Sequence, residues 1–345
     1  MDQSTLACAC ALKGIEAGRA IRESVHAMPL GERAQPRRSR LKPEGNVAAD
    51  AFGEDVGIRH LEALAREVGY RIHLVTEPTR EPEVIGASAK PEVVFSYFDA
   101  VDGTIKVAGL SDGLPEGRLR AANDGGWATA MAFTAPTRKS IEDLVIGDFV
   151  AAAVVDGNPT RYRAYPQEVI TIPGATGLET YDLTDGVRER VFTTTNTTLR
   201  TAMVYLDGFQ AYDGETNQPG DEALAVELYR LLINRHDGGA FDVWRQYANL
   251  NALQRMMLGW RADPVWHESQ GAAFIAINEN LANLIPAVLL ITGAGGLSVD
   301  FENELLLPRK LTAGRTSVLH AANEVIRARV IEIVRAARQH IGPGP

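Results

Sequence analysis

The sequence is poor in cysteine and in basic residues, and these shortages exclude several classes of protein. Its two cysteines, Cys8 and Cys10, are separated by one residue. In a helix this spacing directs them to different faces, so we expect no disulfide framework and a reducing compartment. Lysine and arginine number 35 against 44 aspartates and glutamates, a formal net charge of −9. This balance argues against a broad basic face, and so against a general partner of nucleic acid or of membranes.

Long uninterrupted apolar runs are also missing. The most apolar stretch, Gly271 to Thr292, contains the polar side chains of Asn278, Glu279, Asn280 and Asn283. Polar side chains at such positions are costly in a lipid bilayer, which makes a membrane span an unfavourable interpretation. The amino terminus, MDQSTLACAC, lacks the basic start and long apolar centre of a secretory signal. The sequence therefore predicts a cytoplasmic protein.

The sequence does contain an apolar run that ends abruptly in acidic residues. Val93 to Phe98 is short and rich in branched and aromatic residues, which predicts a buried strand. Asp99 and Asp102 follow at its carboxyl end, where ligands bind in open α/β sheets. Two carboxylates in one crevice repel each other. A hard cation such as Mg²⁺ removes that repulsion because it prefers oxygen ligands.

The residues that follow extend this prediction to phosphate. Gly103 lets the backbone approach a ligand closely, and Thr104 is suited to cap a helix whose amino terminus favours phosphate. A second apolar-leaning segment, Tyr70 to Glu77, also ends in a carboxylate. We expect this carboxylate to meet the two aspartates in space. An acid-rich turn followed by a capped helix would explain the same residues without a metal, so both interpretations stay open.

The order of these segments resembles the inositol monophosphatase and fructose-1,6-bisphosphatase superfamily. The matching parts are an amino-terminal helix (Ala11–Val25), a hairpin-like stretch (Lys42–Asp55), a second helix (Ile58–Val68), a strand (Tyr70–Glu77) and an acidic motif (Asp99–Thr104). The motif reads D-A-V-D-G-T, and Ala100 stands where the family usually has proline. The resemblance is therefore to a divergent member.

Three later segments continue the resemblance in the same order. Gly147 to Ala164 resembles the strand pair after the metal motif, Ile291 to Phe301 resembles the Ala-Gly-Gly signature, and Ser317 to Ile326 resembles the closing helix. The match is weak from Pro173 to Asn249. The resemblance implies an α/β fold, the layered αβαβα sandwich. It also implies a metal-binding lobe over residues 1–185 and a carboxyl-terminal lobe over 186–345, together one phosphatase unit.

The activity implied by the resemblance is Mg²⁺-dependent hydrolysis of a small sugar, cyclitol or nucleotide phosphate. The implied metal ligands are Glu77, Asp99, the carbonyl of Val101, and Asp102. Thr104 would orient the attacking water with the help of an upstream acid. Asp55 fits that role best by its spacing to Glu77, and its rivals are Asp50 and Glu54. Gly103 and Thr104 would contact the substrate. The family is commonly dimeric, so we expect a homodimer.

One position departs from the family pattern. Eleven residues before Ala294 of the Ala-Gly-Gly signature the family has an acid, whereas this chain has Asn283. An amide offers one neutral oxygen, so a metal held there is bound more weakly. Glu279 lies one predicted helical turn earlier on the same face. Either Glu279 replaces the missing carboxylate, or the site holds fewer metal ions tightly. A polar cavity or helix cap is the alternative for this segment.

The residues that select the substrate give weaker signals. The counterpart of the family's substrate stretch is Trp244 to Met256, in which Arg245 is either a substrate contact or an exposed ion pair. Lys42 is a candidate cation beside the phosphate or a solvated lysine. His267 and Glu268 are candidates for an acid–base pair or for metal ligands, but a histidine beside a tryptophan is more often simply packed.

A second class of function stays open. Three features favour a non-hydrolytic descendant of the fold with a weakened metal site, either a binding or regulatory protein or an enzyme of different chemistry: Asn283, Ala100 and the altered Trp244 to Met256 stretch. The joint presence of the acidic motif and Glu77 favours a phosphatase.

Overall fold

The computed structural model describes most of the chain, with gaps in several connecting segments. The described residues are 1–39, 41, 46–75, 82–102, 127–158, 165–207, 221–234, 239–240, 242–245, 250, 253, 257–260 and 271–342. The α-helices within these residues are α1 (Gln3–Ala27), α2 (Leu30–Arg33), α3 (Ala48–Val68), α4 (Asp221–Leu232), α5 (Leu281–Gly293) and α6 (Glu324–Ile341).

The strands of the same residues run in chain order from β1 to β16. They are β1 (Pro36–Arg37), β2 (Asn46–Val47), β3 (Arg71–Val75), β4 (Glu83–Ile85), β5 (Val93–Asp102), β6 (Ala128–Thr134), β7 (Phe149–Asp156), β8 (Glu168–Pro173), β9 (Leu178–Asp182), β10 (Glu189–Phe192), β11 (Met203–Asp207), β12 (Asp242–Arg245), β13 (Gly259–Trp260), β14 (Gly271–Asn280), β15 (Leu297–Asp300) and β16 (Arg315–Ala321).

Within the described residues these strands form two large mixed sheets and a short ribbon of β1 and β2. The first sheet has nine strands in the order β13-β10-β9-β8-β7-β6-β5-β3-β4, and the second has five in the order β12-β11-β14-β16-β15. In the second sheet, β11 runs parallel to both β12 and β14. The first sheet takes strands from both sides of residue 185, where the sequence analysis places the lobe boundary. That division stays a prediction.

Buried side chains in the described part of the chain show how the helices cover the sheets. Helices α1 and α3 pack on one face of the first sheet. Helix α5 lies between the two sheets and packs on both, as expected for a helix that is apolar on nearly every side. Helices α4 and α6 cover the far face of the second sheet. This order of layers confirms the predicted αβαβα sandwich.

The predicted amino-terminal helix is present as α1, which carries both cysteines as free thiols. Burial raises the pKa of Cys10 to about 12, so its thiol stays protonated and unreactive at neutral pH. Of the helices in the described ranges, none combines the length and the apolar character needed to span a bilayer.

Two segments differ from the sequence-based prediction. Ser317 to Ile326 is predicted as the closing helix, but Arg315 to Ala321 forms β16, and the helix begins only at Glu324. Because β16 lies between β14 and β15 and its later residues are buried on both faces, it lacks the alternating pattern of a half-buried strand. The predicted hairpin-like stretch from Lys42 is helical from Ala48 onward, as the first turns of α3.

Two glycines bring α3 close to β5, and their contacts show the direction in which the helix runs. Gly57 packs directly on the ring of Phe98, and a methyl group at Gly53 would lie 3.1 Å from the Cβ of Ala100. Since the earlier glycine faces the later strand residue, α3 runs antiparallel to β5. The amino terminus of α3, with Asp50, therefore points toward the carboxyl end of β5.

Candidate metal and phosphate site

A β-bulge near the end of β5 brings the two predicted metal-binding aspartates to one face of the sheet. Asp99 pairs with Ala130 and Asp102 pairs with Ala128, so β5 advances by three residues while β6 advances by two. Residues three apart in a regular strand point to opposite faces, and one extra residue restores them to the same face. Ala128 and Ala130 lie in the core around α5. Both half-buried carboxylates therefore face the α5 layer.

Thr129 stabilises this bulge. Its buried hydroxyl donates a hydrogen bond to the carbonyl oxygen of Ala100 at 2.8 Å. Ala100 and Val101 turn to the opposite face, where they pack in the core with α1 and α3. The N–H of Val101 donates to Oδ1 of Asp99 at 3.1 Å, which closes an Asx turn at the start of the motif.

Replacing Thr129 by valine is expected to destabilise the protein, because the nearly isosteric side chain cannot donate to Ala100. The free energy of unfolding should fall by about 1–3 kcal/mol, the range for a buried group that loses its hydrogen bond. Urea denaturation measures the change. Thr129→Ser keeps the hydroxyl and should lose clearly less than the valine variant. A valine variant as stable as the wild type, beside a destabilised serine variant, would show that the methyl group, and not the hydrogen bond, stabilises this segment.

Asn283 lies against β5, where it contacts Tyr97. Helix α5 begins after Asn280, whose Oδ1 accepts a hydrogen bond from the N–H of Ala282 at 3.0 Å. The hydroxyl of Tyr97 donates to Oδ1 of Asn283 at 3.1 Å, and Tyr97 precedes Asp99 by two residues on the same face of β5. The amide oxygen at the position of the family's acid is thus already directed toward the first sheet.

Asp102 also has a backbone contact that sequence reasoning did not find. The N–H of Leu250 donates to its Oδ2 at 2.8 Å. Leu250 is a buried apolar residue that follows directly on the stretch where the resemblance is weak. Because the donor is a backbone N–H, which does not depend on the type of side chain, the sequence could not identify Leu250 as the partner of Asp102.

Glu279 lies on the second sheet. It is the penultimate residue of β14 and pairs with Thr316 of β16. The predicted helical relation between Glu279 and Asn283 is therefore wrong, because Asn280 caps α5 between them.

The three acids considered for orienting water occupy different environments on α3. Asp50 and Glu54 are buried, and Glu54 accepts a hydrogen bond from the hydroxyl of Ser39. Asp55 is partly exposed and lies 3.8 Å from Arg37 in an ion pair. Burial therefore separates Asp50 and Glu54 from Asp55, and the choice among the three stays a prediction.

Several predicted site residues lie outside the described part of the chain, namely Lys42, Glu77, Gly103, Thr104, His267 and Glu268. The nearest described residue before Glu77 is Val75, the last of β3, which pairs with Tyr97. Arg245 is the last residue of β12 and pairs with Leu206 at the carboxyl edge of the second sheet.

The donor groups at this site suit a hard cation. Asp99, Asp102, the carbonyl of Val101 and the amide of Asn283 offer only oxygen atoms. Mg²⁺ is usually held by one or two protein carboxylates, with water and substrate phosphate in its other positions. Among the residues that the structure describes, no group of three or more histidine, cysteine, aspartate or glutamate side chains is placed to hold a metal ion. The two aspartates offer the one or two carboxylates that Mg²⁺ usually takes from a protein.

Comparison with solved structures identifies the fold. The chain superimposes on fructose-1,6-bisphosphatase of Leishmania major in its holo form with a TM-score of 0.60, at 12% identity over 97% of this chain and 94% of that one. Inositol monophosphatase of Anabaena gives 0.54 at 14% identity over 94% and 95%. The chain has the fold of the inositol monophosphatase and fructose-1,6-bisphosphatase superfamily.

A third member of this phosphatase fold is similar to the same extent. The putative sedoheptulose-1,7-bisphosphatase of Toxoplasma gondii gives a TM-score of 0.61 at 8% identity, over 94% of this chain and 92% of that one. No protein-family model and no curated protein sequence matches the chain. The likeness therefore establishes the phosphatase fold, and the activity has to be argued from the site.

Proposed function

We propose that the protein is a Mg²⁺-dependent phosphatase that hydrolyses a small phosphate monoester of a sugar, cyclitol or nucleotide. The observation that carries the proposal is the bulge in β5, which turns Asp99 and Asp102 to the face of Tyr97, whose hydroxyl contacts Asn283 in the first turn of α5. A regular strand would separate these carboxylates and leave no charge pair for a cation. The phosphatase fold supports the same assignment.

Each described residue has a distinct role in this proposal. Asp99, Asp102 and the carbonyl of Val101 would hold Mg²⁺, with the Asn283 oxygen as a neutral donor. Bound there, the cation would neutralise phosphate charge and lower the pKa of a coordinated water. Tyr97 keeps the Asn283 amide turned toward β5, and the N–H of Leu250 fixes the carboxylate of Asp102.

Positioning of this kind is most of what the reaction requires of a protein, because phosphoryl transfer depends mainly on alignment and charge neutralisation. One of Asp50, Glu54 and Asp55 is the acid that we assign to orienting the attacking water. Glu77, Gly103 and Thr104 keep the roles that the resemblance implies, and these stay predictions, as do the homodimer and the cytoplasmic location.

A phosphate-release assay tests the proposal. We expect the purified protein to release phosphate from at least one ester in a panel of sugar, inositol and nucleotide phosphates with Mg²⁺, and to lose this release in EDTA. Circular dichroism confirms that the protein is folded, and calorimetry measures Mg²⁺ binding directly. A folded protein that releases no phosphate and binds no Mg²⁺ would contradict the proposal.

One observation favours the non-hydrolytic alternative. A neutral amide stands at the family's acidic position, and its oxygen already accepts a hydrogen bond from Tyr97. A protein of this second kind would bind a phosphate ester in calorimetry. After incubation with the protein and Mg²⁺, the ester would still be intact.

A further inference from the structure

His320 is a buried polar residue at the interface between α5 and the second sheet. It follows Val318 by two residues and precedes Ala322 by two, and both of these share its face and belong to the core around α5. Its strand partner on β14 is Phe274, a member of the same core. The side chain of His320 is 0% exposed. An ionisable ring is therefore enclosed between the sheet and the helix.

Only one of the two ring nitrogens of His320 has a hydrogen-bond partner among the described residues. Nδ1 lies 2.7 Å from Oγ of Ser298, which is also buried and belongs to β15. Nε2 is buried and has no partner in that part of the chain. Burial lowers the pKa of His320 to about 3, because a charged ring would lose its hydration there. The ring is therefore neutral in the folded protein at neutral pH.

The elements packed against His320 place no acid directly beside the ring in the described residues. Helix α5 contains no ionisable side chain along its whole length. On the face that the ring shares, β15 contributes Asp300, which already forms an ion pair with Arg309. Strand β14 contributes Glu279, which pairs with Thr316, four residues before His320 and so about 13 Å along the strand.

A cavity of about 520 Å³ lies at the end of α5, close to this ring. Its walls include Ala294, which follows the last residue of α5, and Ala322, two residues after His320 on the same face. Water in this cavity is therefore separated from the ring by little more than the contact between α5 and β16.

Two charged groups of the described residues at this end of α5 are already paired. Arg190 of β10 donates to the carbonyl oxygen of Gly293 at 3.0 Å, and Glu324 of α6, which lines the cavity, forms an ion pair with Arg327. A charge on His320 would therefore depend on water for its stabilisation.

We propose that His320 is an acid-sensitive switch, in which a proton on the ring separates α5 from the second sheet. The closed interface cannot hydrate the charged ring, so the proton binds only when water reaches it and then keeps the interface open. Helix α5 carries Asn283 in its first turn, so opening also removes this residue from its contact with Tyr97. The inference concerns the stability of the fold and does not depend on the proposed activity.

The direction of the pH dependence follows from the pKa of the ring in the two states. A histidine in an unfolded chain has a pKa of about 6.5, whereas burial lowers the pKa of His320 to about 3 in the folded protein. The unfolded state therefore binds more protons between these values. The contribution of His320 to stability is complete above about pH 6.5 and is lost progressively as the pH falls toward about 3.

Urea denaturation at about pH 7.5 and about pH 4.5 tests the proposal in the wild type and in His320→Asn. The asparagine amide can still bond to Ser298, but it takes up no proton. The smaller side chain costs stability at both pH values, so this loss cancels in the comparison. From the higher to the lower pH, we expect the unfolding equilibrium constant to rise about 100-fold more in the wild type, tenfold for each of about two pH units below the ordinary histidine pKa.

The matched control is His26→Asn. His26 is exposed on α1, so its replacement should leave the rise in the unfolding constant within about twofold of the wild type. An equal rise in the wild type and in His320→Asn overturns the proposal. A reduction in His26→Asn as large as that in His320→Asn also overturns it, because the acid sensitivity would then not belong to the buried ring.

A measurement on the wild-type protein decides the case in which His320→Asn does not fold. Nitrogen-15 chemical shifts of the imidazoles report whether each ring is charged, and the contact with Phe274 assigns the signals of His320. We expect this ring to stay neutral at about pH 5 while the protein is folded, and to become charged only together with unfolding. A charged His320 ring in the folded protein at that pH overturns the proposal.

Discussion

Replacement of Asp99 by asparagine is expected to lower phosphate release from every accepted ester by at least about 100-fold. The change keeps the shape of the side chain and removes one of the two carboxylates that the β5 bulge directs to the α5 layer. Substitution of residues that only support a metal ligand already costs about 10–100-fold, so loss of a direct ligand should cost at least as much. Initial rates over a range of Mg²⁺ concentrations, together with calorimetry of Mg²⁺ binding, measure the effect.

A surface aspartate provides the matched control for this substitution. Asp143 forms an exposed ion pair with Lys310 at 3.3 Å. Since exposed pairs contribute little, Asp143→Asn should leave both the rate and the affinity for Mg²⁺ within about twofold of the wild type. Full activity and unaltered Mg²⁺ affinity in Asp99→Asn would remove this residue from the site.

The sequence predicted the two aspartates as a metal-binding pair, but it did not reveal why they lie on the same face of the strand. A spacing of three residues in a strand normally predicts opposite faces. The bulge that reverses this depends on Thr129, which comes from the neighbouring strand and leaves no mark in the acidic motif itself. The local sequence therefore shows that two acidic residues end the strand. The orientation of their side chains depends on a contact between segments that are distant in the chain.

A similar contrast holds around α5. Counting back from the Ala-Gly-Gly signature located Asn283 correctly on a helix, because the helix ends at that signature without an insertion. Glu279 was assigned to the same helix, although Asn280 caps it. A β-bulge at Asn278 in β14 could not be predicted, because the left-handed backbone of this residue, with a φ of 57°, is held by partners on β16 and α4.

The layered fold was predictable to a greater extent than the site. The resemblance implied the αβαβα architecture, and the structure supplies a physical reason for it, since a helix that is apolar on nearly every side has to lie between two covering layers. The exception was β16, where burial on both faces of its later residues removed the alternation that distinguishes a strand from a buried helix. Local patterns thus identify layers, and they fail where both faces of an element are buried.

Asn283→Asp is expected to tighten Mg²⁺ binding about 10-fold or more, a gain of about 1.4 kcal/mol in binding free energy. The substitution places a charged oxygen where the structure now has a neutral one, in the first turn of α5 and in contact with Tyr97 of β5. The helix dipole favours a negative charge there, and Tyr97 can still donate to the new carboxylate. In the absence of metal the added charge repels the two aspartates, so Mg²⁺ should raise the melting temperature of the variant more than that of the wild type.

The control for this gain is Asn280→Asp. It adds the same charge three residues earlier, and aspartate caps a helix as well as asparagine does. If both variants bind Mg²⁺ more tightly to the same extent, the gain reflects the overall negative charge and not the place of Asn283 in the site. If Asn283→Asp leaves the affinity unchanged, the amide does not face the cation, and the lost acid of the family cannot explain a weakened metal site in this chain.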